Sequence, residues 1–392
     1  MERTTCLIAG GGPAGMFLGL MLARSGIEVT VLEKHGDFLR DFRGDTVHPT
    51  TLELIDALGL REDFAKLAQR RLNTVQIPIG GRMVTLATFG HIPGRHKYVA
   101  MVPQWDLLDL LARAGDVEPT FRLRMNTEAV DLVREGARIA GVRCRAKDGA
   151  ESEIRADLVV ACDGRASVLR AAAGLGAHHW ATPFDTWWFR IARRSTDPAG
   201  LIPVVSASRA AVLFDRGDYW QCATLIAKGS DPALRTSRPV SDIMRDMAVV
   251  VPWLSDRVEA VPSWDDVKLL DVKLDRLDDW YTDGLLCIGD AAHAMSPVGG
   301  VGINLAVQDA VATARILGPK LLSGSLTTAD LAKVQRRRTL PTAAVQGMQR
   351  LAHARVIAPA VRGDLDISNL PQTPLALRVF RASRSCAACH RS

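Results

Sequence analysis

The sequence predicts an α/β fold: a parallel sheet covered by helices, an antiparallel sheet interleaved into the same chain, and helices towards the C-terminal end. Three observations predict it. Short, mainly apolar runs at residues 6–9 (CLIA), 29–32 (VTVL), 156–162 (ADLVVAC) and 285–288 (LLCI) have the pattern of strands buried on both faces. Each run ends at a glycine or an acid: Gly10, Glu33, Asp163-Gly164 and Gly289-Asp290. Between residues 180 and 273 helical periodicity weakens and alternating segments take over, among them TWWFRIAR, AVLFDRGD and YWQCATLIAK.

The chain is organised around residues 4–34, one strand–turn–helix–strand unit. Gly10, Gly12 and Gly15 form G-x-G-x-x-G. The first permits a tight turn, the second lets a pyrophosphate approach the backbone, and the third lets helix and strand pack closely. The helix that follows offers free N–H groups and a positive dipole end to phosphates. Glu33, at the end of the second strand, is placed to accept ribose hydroxyl protons. An adenine dinucleotide is expected here, and this unit alone leaves open FAD or NAD(P).

A Gly-, Pro- and Arg-rich loop follows, with Arg43 and His48 in it, and then a helix from Thr50-Thr51 to Gly59. Residues 72–79 and 81–88 read as a hairpin around Gly80-Gly81. Residues 99–102 read as a strand, and Pro103-Gln104-Trp105 leads into a helix. Strands are expected at 138–145, 151–154 and 156–162, and a helix over SVLRAAAGL. In the antiparallel region Arg216-Gly217-Asp218 marks a turn. Trp187, Trp188, Tyr219 and Trp220 more often pack a core than face a ligand. Residues 242–250 read as a helix. After Gly289-Asp290, the glycines at 299, 300 and 302 open a second glycine-rich helix N-terminus, NLAVQDAVATARIL. Residues 327–356 and a short C-terminal segment read as helices.

Composition bounds the rest. With 392 residues, 47% hydrophobic and 23% charged, the chain fits a globular protein of two intertwined domains. Its net charge of +6 is scattered, without the continuous basic and aromatic stripe of a nucleic-acid face. No run of eighteen apolar residues exists, so no membrane span is expected. Seven cysteines, odd and dispersed, and the lack of a secretory pattern point to reduced thiols and a cytoplasmic protein. Cys386, Cys389 and His390 match C-x-x-C-H, but without an export signal covalent haem is not expected, and no metal is assigned.

The motifs GGGPAG with Glu33, the Arg43-Gly44 loop, VPQWDLLDLL, CDGRASVLR and GDAAHAMSPVGGVGINLAVQDA together resemble the single-component (group A) FAD-dependent aromatic monooxygenases of the para-hydroxybenzoate hydroxylase-like family. The resemblance covers nearly the whole chain. It implies a Rossmann-type FAD-binding domain of the glutathione reductase-like superfamily (1–71, 105–176 and 274–392) and an antiparallel-sheet substrate domain (72–104 and 177–273). It places non-covalent FAD along Gly10, Gly12, Pro13, Ala14, Gly15, Glu33, Lys34, Arg43, Gln104, Asp163, Gly289, Asp290, Pro297, Gly300, Val301, Gly302, Ile303 and Asn304. Asp163-Gly164 is implied to serve the nicotinamide cofactor as well.

The implied reaction uses NAD(P)H and O2. Reduced flavin forms a C4a-hydroperoxide that passes one oxygen to an electron-rich carbon of an aromatic or polycyclic, phenol-like substrate. Arg43 and Pro297 are implied beside the reacting ring. His48, Tyr219 and His293 are candidates by type for moving the substrate's proton, while His293 reads equally as a structural hydrogen bond within the flavin loop. The protein is expected to be a monomer or homodimer. Departures are a missing C-terminal thioredoxin-like extension, no known substrate signature, and no W-x-W-x-I-P element of flavin-dependent halogenases. A flavin dehydrogenase on the same fold, without oxygen insertion, stays open as the alternative. A disulfide reductase is disfavoured, since no cysteine pair sits near the first helix.

Overall fold

A computed structural model describes residues 2–39, 46–79, 82–198, 200–205 and 210–365. Arg43 and the Cys386/Cys389/His390 tail lie outside the described residues, as do Gly80-Gly81 and the short C-terminal segment. The chain divides into two compact units: Met1–Gln69, Val102–Ala181 and Lys273–Gln349 form the first; Arg70–Met101, Thr182–Val272 and Arg350–Ser392 form the second. The segment from Arg350 groups with the second unit, whereas the sequence reading runs the first domain on to residue 392.

The first unit carries, in chain order, β1 (Glu2–Ala9), α1 (Pro13–Arg24), β2 (Val29–Leu32), α2 (Pro49–Ala57), α3 (Gln104–Asp116), β3 (Phe121–Arg124), β4 (Thr127–Glu135), β5 (Arg138–Ala146), β6 (Glu151–Ala161), β7 (Leu285–Cys287), α4 (Gly302–Leu322) and all but the last turn of α5 (Thr328–Ala352). The parallel strands lie in the order β7-β6-β1-β2-β3, and Tyr281–Thr282 adds an antiparallel edge beside β7. Cys6, Leu7, Ile8 and Ala9 are fully buried, which is why the run carries no polar alternation. On α1, buried residues run from Ala14 to Ala23 around nearly the whole helix, as in a helix covered on all sides.

Two expectations change. The sequence reading breaks the strand at residue 155, but Glu151–Ala161 is one strand. Its first half pairs antiparallel with β5 and its second half parallel with β1; Arg155 pairs with both Gly141 and Arg3. The polar Glu151–Glu153 end and the apolar end therefore belong to one strand with two environments. Strands β3 and β4 are absent from the sequence reading, because the alternation FRLR and the half-buried run from Thr127 lack an apolar stretch.

The second unit is built on a five-stranded antiparallel sheet, in the order Leu201–Val205, Ala210–Asp215, Tyr219–Ala227, Phe184–Ala192, Lys268–Leu270. One face holds Trp187, Phe189, Ile191, Leu213, Trp220 and Cys222, packed on Ile243, Met244 and Met247 of the helix Ser241–Val250. Strand alternation turns Trp188, Arg190, Phe214 and Gln221 to the other face. Thr74–Ile79 and Arg82–Thr88 pair as the expected hairpin, and Arg70–Leu72 pairs with Val99–Met101. Among the described residues no helix is long and apolar enough to cross a membrane.

Candidate cofactor site

In the first unit the C-terminal ends of four strands stand side by side, joined by main-chain hydrogen bonds. Gly10 N–H donates to Leu32 O at 2.8 Å, Cys162 N–H to Ala9 O at 2.7 Å, and Ile288 N–H to Ala161 O at 3.0 Å. Three strand spacings separate the end of β2 from the end of β7, about 14 Å. Glu33, Gly10–Gly15, Asp163-Gly164 and Gly289-Asp290 thus form one row along the crevice expected at the ends of a parallel sheet.

The glycine turn fits its sequence. Gly10 has φ +113°, and a Cβ there would lie 2.3 Å from the Cys162 carbonyl oxygen; a Cβ on Gly15 would lie 2.0 Å from the Gly10 carbonyl oxygen. Gly12 differs: its missing Cβ faces open space, with nothing within 4 Å. Pro13 opens α1, Ala14 and Gly15 follow in its first turn, and neither a side-chain cap nor an acid occupies that end. It is therefore a helix N-terminus open to a phosphate. Glu33 is buried, and its carboxylate accepts from Gly11 N–H at 3.1 Å and His35 N–H at 3.0 Å. Those two bonds fix the direction of the acid. Lys34, beside it, is exposed.

Asp163 Oδ2 accepts from Leu169 N–H at 3.2 Å, in the first turn of the short helix Val168–Ala172, whose N-cap is Ser167. Its Oδ1 is buried without a partner, and burial pushes its carboxyl above the ordinary range. An orphaned buried acceptor is costly unless something donates to it. Arg165 Nη2 donates to Asp290 Oδ2 at 3.1 Å, tying the Asp163-Gly164 turn to the Gly289-Asp290 turn. Behind them Arg170 reaches both oxygens of buried Asp275, at 3.3 and 3.4 Å, and the Ala291 carbonyl.

At the second glycine-rich turn, Gly300 N–H donates to Pro297 O at 3.0 Å, leaving Pro297 half-buried. Val301 precedes α4, whose first residues Gly302 and Ile303 carry neither side-chain cap nor acid. Asn304 is buried and its side chain is spent within the protein. Its Oδ1 accepts from His48 N–H at 2.8 Å and Thr51 Oγ1–H at 2.9 Å, and its Nδ2 donates to Thr46 O at 3.0 Å. Only its main chain is left for a ligand. Gln104 is half-buried at the start of α3.

The proton-moving candidates separate. His293 is 1% exposed, and its Nε2 lies 2.6 Å from Asp309 Oδ2; it is the structural hydrogen bond. Burial pushes the His48 imidazole down to about 4, so it is neutral at pH 7. Tyr219 belongs to the second unit, half-buried, with the Arg190 guanidinium 4.7 Å from its ring centre. Trp187 and Trp220 are core residues whose indole N–H groups donate to Asp231 at 2.6 Å and Asp197 at 2.9 Å. Trp188 instead stacks on Phe214, 5.8 Å between centroids and 26° between planes. A cleft of about 500 Å³ in the second unit, lined by Arg194, Ser255, Asp256 and Glu259 among others, contains none of the predicted site residues.

Sequence reasoning missed Asp309 and Arg338, which are both buried. An acid among the apolar residues of NLAVQDAVA was the available signal. Burial raises the Cys6 thiol to about 12 and pushes Cys162 and Cys287 up as well, so these thiols stay protonated and unreactive. Among the described residues no group of three or more His, Cys, Asp or Glu side chains could hold a metal ion.

The family described as "FAD binding domain" matches residues 3–347. The 6-methylpretetramide 4-monooxygenase of Streptomyces rimosus is 33% identical over 351 residues, 86% of this chain and 80% of its own. Among solved structures, PqsL of Pseudomonas aeruginosa superposes with a TM-score of 0.77 at 21% identity, covering 94% of this chain and 100% of its own. The OxyS anhydrotetracycline hydroxylase of Streptomyces rimosus superposes with a TM-score of 0.74 at 23% identity, covering 98% and 75%. At those identities the two structures speak to fold alone.

Proposed function

We propose a reaction for this chain from one premise: it belongs to the FAD-binding-domain family, with the single-component FAD-dependent aromatic monooxygenases. FAD is its cofactor. The reaction is hydroxylation of an aromatic or polycyclic, phenol-like substrate with NAD(P)H and O2. The similarity to an enzyme named for a polycyclic substrate, 6-methylpretetramide, supports a fused-ring substrate over a single ring.

The residues present fit the cofactor. Gly12 leaves room for a pyrophosphate, and the open N-terminus of α1, with Pro13, Ala14 and Gly15, offers it N–H groups. The fixed carboxylate of Glu33 would accept from ribose hydroxyls, and Lys34 stands beside it. The orphaned Asp163 Oδ1 would take a hydroxyl or amide donor, and Asp290 would accept from hydroxyls of the cofactor. The main chain of Gly300, Val301, Gly302, Ile303 and Asn304, with Gly289, Gln104 and Pro297, would hold its flavin end. Arg43 keeps the role that the resemblance gives it.

Bound FAD would supply the redox chemistry, linking oxidation of the nicotinamide to activation of O2. The protein's part is to hold, orient and exclude water. The antiparallel sheet of the second unit, with Trp188 stacked on Phe214 and Arg190 on the same face, is the proposed substrate-binding part. Tyr219 is the proposed group for moving the substrate's phenolic proton. His48 is neutral at pH 7, and its main-chain N–H, at the start of α2, donates to Asn304.

One observation carries this reading: four strand ends joined in a row, each bearing a glycine turn or an acid. The test is NAD(P)H oxidation under isotope-labelled O2 across a panel of single-ring and fused-ring phenols. One labelled oxygen per product supports the monooxygenase. Stimulated oxidation without label in any product would establish the dehydrogenase instead.

A further inference from the structure

We propose that Asp309 is a positioning residue for the cofactor: one buried carboxylate that gathers Gly289, His293 and Arg338 and thereby sets the turn presenting Asp290. The inference rests on the flavin reading above. Asp309 is fully buried on α4. Its Oδ2 accepts from Gly289 N–H at 3.0 Å and meets His293 Nε2 at 2.6 Å. Its Oδ1 accepts from Arg338 Nε–H of α5 at 2.6 Å.

Burial raises the Asp309 carboxyl, but His293 and Arg338 outweigh it and hold the group below its usual range. An ionised carboxylate only accepts, so the proton of the 2.6 Å contact sits on His293 Nε2. His293 is a locked donor to Asp309, with Trp280 against its face at 4.9 Å.

The geometry aims the network at one main-chain group. Gly289 N–H points inward to Asp309, and the next residue, Asp290, has its carboxylate 29% exposed and paired with Arg165. His293 N–H returns to the Gly289 carbonyl at 2.9 Å, so the loop is tied at both ends. At Gly289 a Cβ would lie 3.3 Å from the Cβ atoms of Ala14 and Ala306, which wedges the turn between α1 and α4. A displaced carboxylate therefore moves Asp290 and the floor of the first glycine turn together. Three polar groups of the same volume could be replaced by apolar ones without the cost of desolvation, so packing alone does not require this arrangement.

The test compares Asp309→Leu/Arg338→Met, His293→Leu and His293→Gln with the wild type. Melting temperature is read on the apoprotein, FAD affinity by flavin fluorescence, and the flavin environment by visible absorbance. The double variant is neutral and is expected to fold, binding FAD at least about tenfold more weakly with altered visible bands. His293→Leu shifts in the same direction. His293→Gln, whose amide still donates to Asp309, stays within about threefold of wild type. Unchanged FAD affinity and spectrum in the double variant would reduce the network to packing. If the double variant does not fold, the two His293 variants decide: equal affinity in Leu and Gln overturns the proposal. Wild-type protein that takes up no FAD refutes the flavin reading instead.

Discussion

Glu33→Ala tests the cofactor geometry at its adenosine end. In the apoprotein the Glu33 carboxylate accepts from Gly11 N–H at 3.1 Å and His35 N–H at 3.0 Å while buried. His35 is exposed, so its N–H recovers water; Gly11 is buried and its N–H does not. The apoprotein therefore loses one charge-assisted bond, about 1.5–3 kcal/mol. Binding loses a second, independent amount, because the ribose hydroxyls no longer meet a charged acceptor. That loss, again about 1.5–3 kcal/mol, weakens FAD about 10- to 150-fold. Titration of apoprotein with FAD by fluorescence reads the second quantity, and denaturant unfolding without FAD reads the first. Glu33→Gln should fall between alanine and wild type, since one oxygen acceptor remains. FAD affinity in Glu33→Ala within a factor of about three of wild type would refute the assignment.

Further outcomes follow from neighbouring positions. Gly12→Ala should fold with an unchanged apoprotein melting temperature, since its Cβ meets nothing within 4 Å, yet bind FAD weakly because the methyl enters the pyrophosphate approach; normal affinity would contradict the placement. Gly15→Ala should instead lose the fold, its Cβ lying 2.0 Å from the Gly10 carbonyl oxygen, as thermal melting would show. The imidazole of His48 titrates near 4 in the folded chain and near 6.5 when unfolded, so the unfolded state binds more protons between those values. Its contribution to stability is complete above about pH 6.5 and is lost as pH falls towards 4; His48→Gln should flatten that part of an apoprotein stability–pH curve. Asp163 has the opposite sign: its carboxyl is raised by burial, so apoprotein stability falls as pH rises from the ordinary carboxylate value through the folded one. Asp163→Asn should remove that fall, measured by unfolding across pH.

The dinucleotide unit was legible because each job in it is local: a turn, a close approach, a strand-end acid. Gly10, Gly12, Gly15 and Glu33 fall within one short stretch whose spacing alone orders them. The run of buried strands was legible for the same reason. What was hidden depends on partners distant in sequence. Asp309 and Arg338 sit at unremarkable helical positions and meet only when α4 packs beside α5. Asn304 carries a motif position, yet its side chain serves Thr46, His48 and Thr51, more than 250 residues away in sequence. In β6 a polar half and an apolar half read as two strands, because the change of partner at Arg155 leaves no trace in the sequence. Trp187 and Trp188 look alike in sequence, and only the register of the sheet separates core from open face.

The most direct measurement is the visible absorbance of the purified protein, repeated on the filtrate after denaturation. The account predicts the two bands of oxidised flavin, released into the filtrate and identified as FAD by chromatography. A colourless protein that takes up no added FAD would contradict the cofactor site and the oxygenase chemistry built on it.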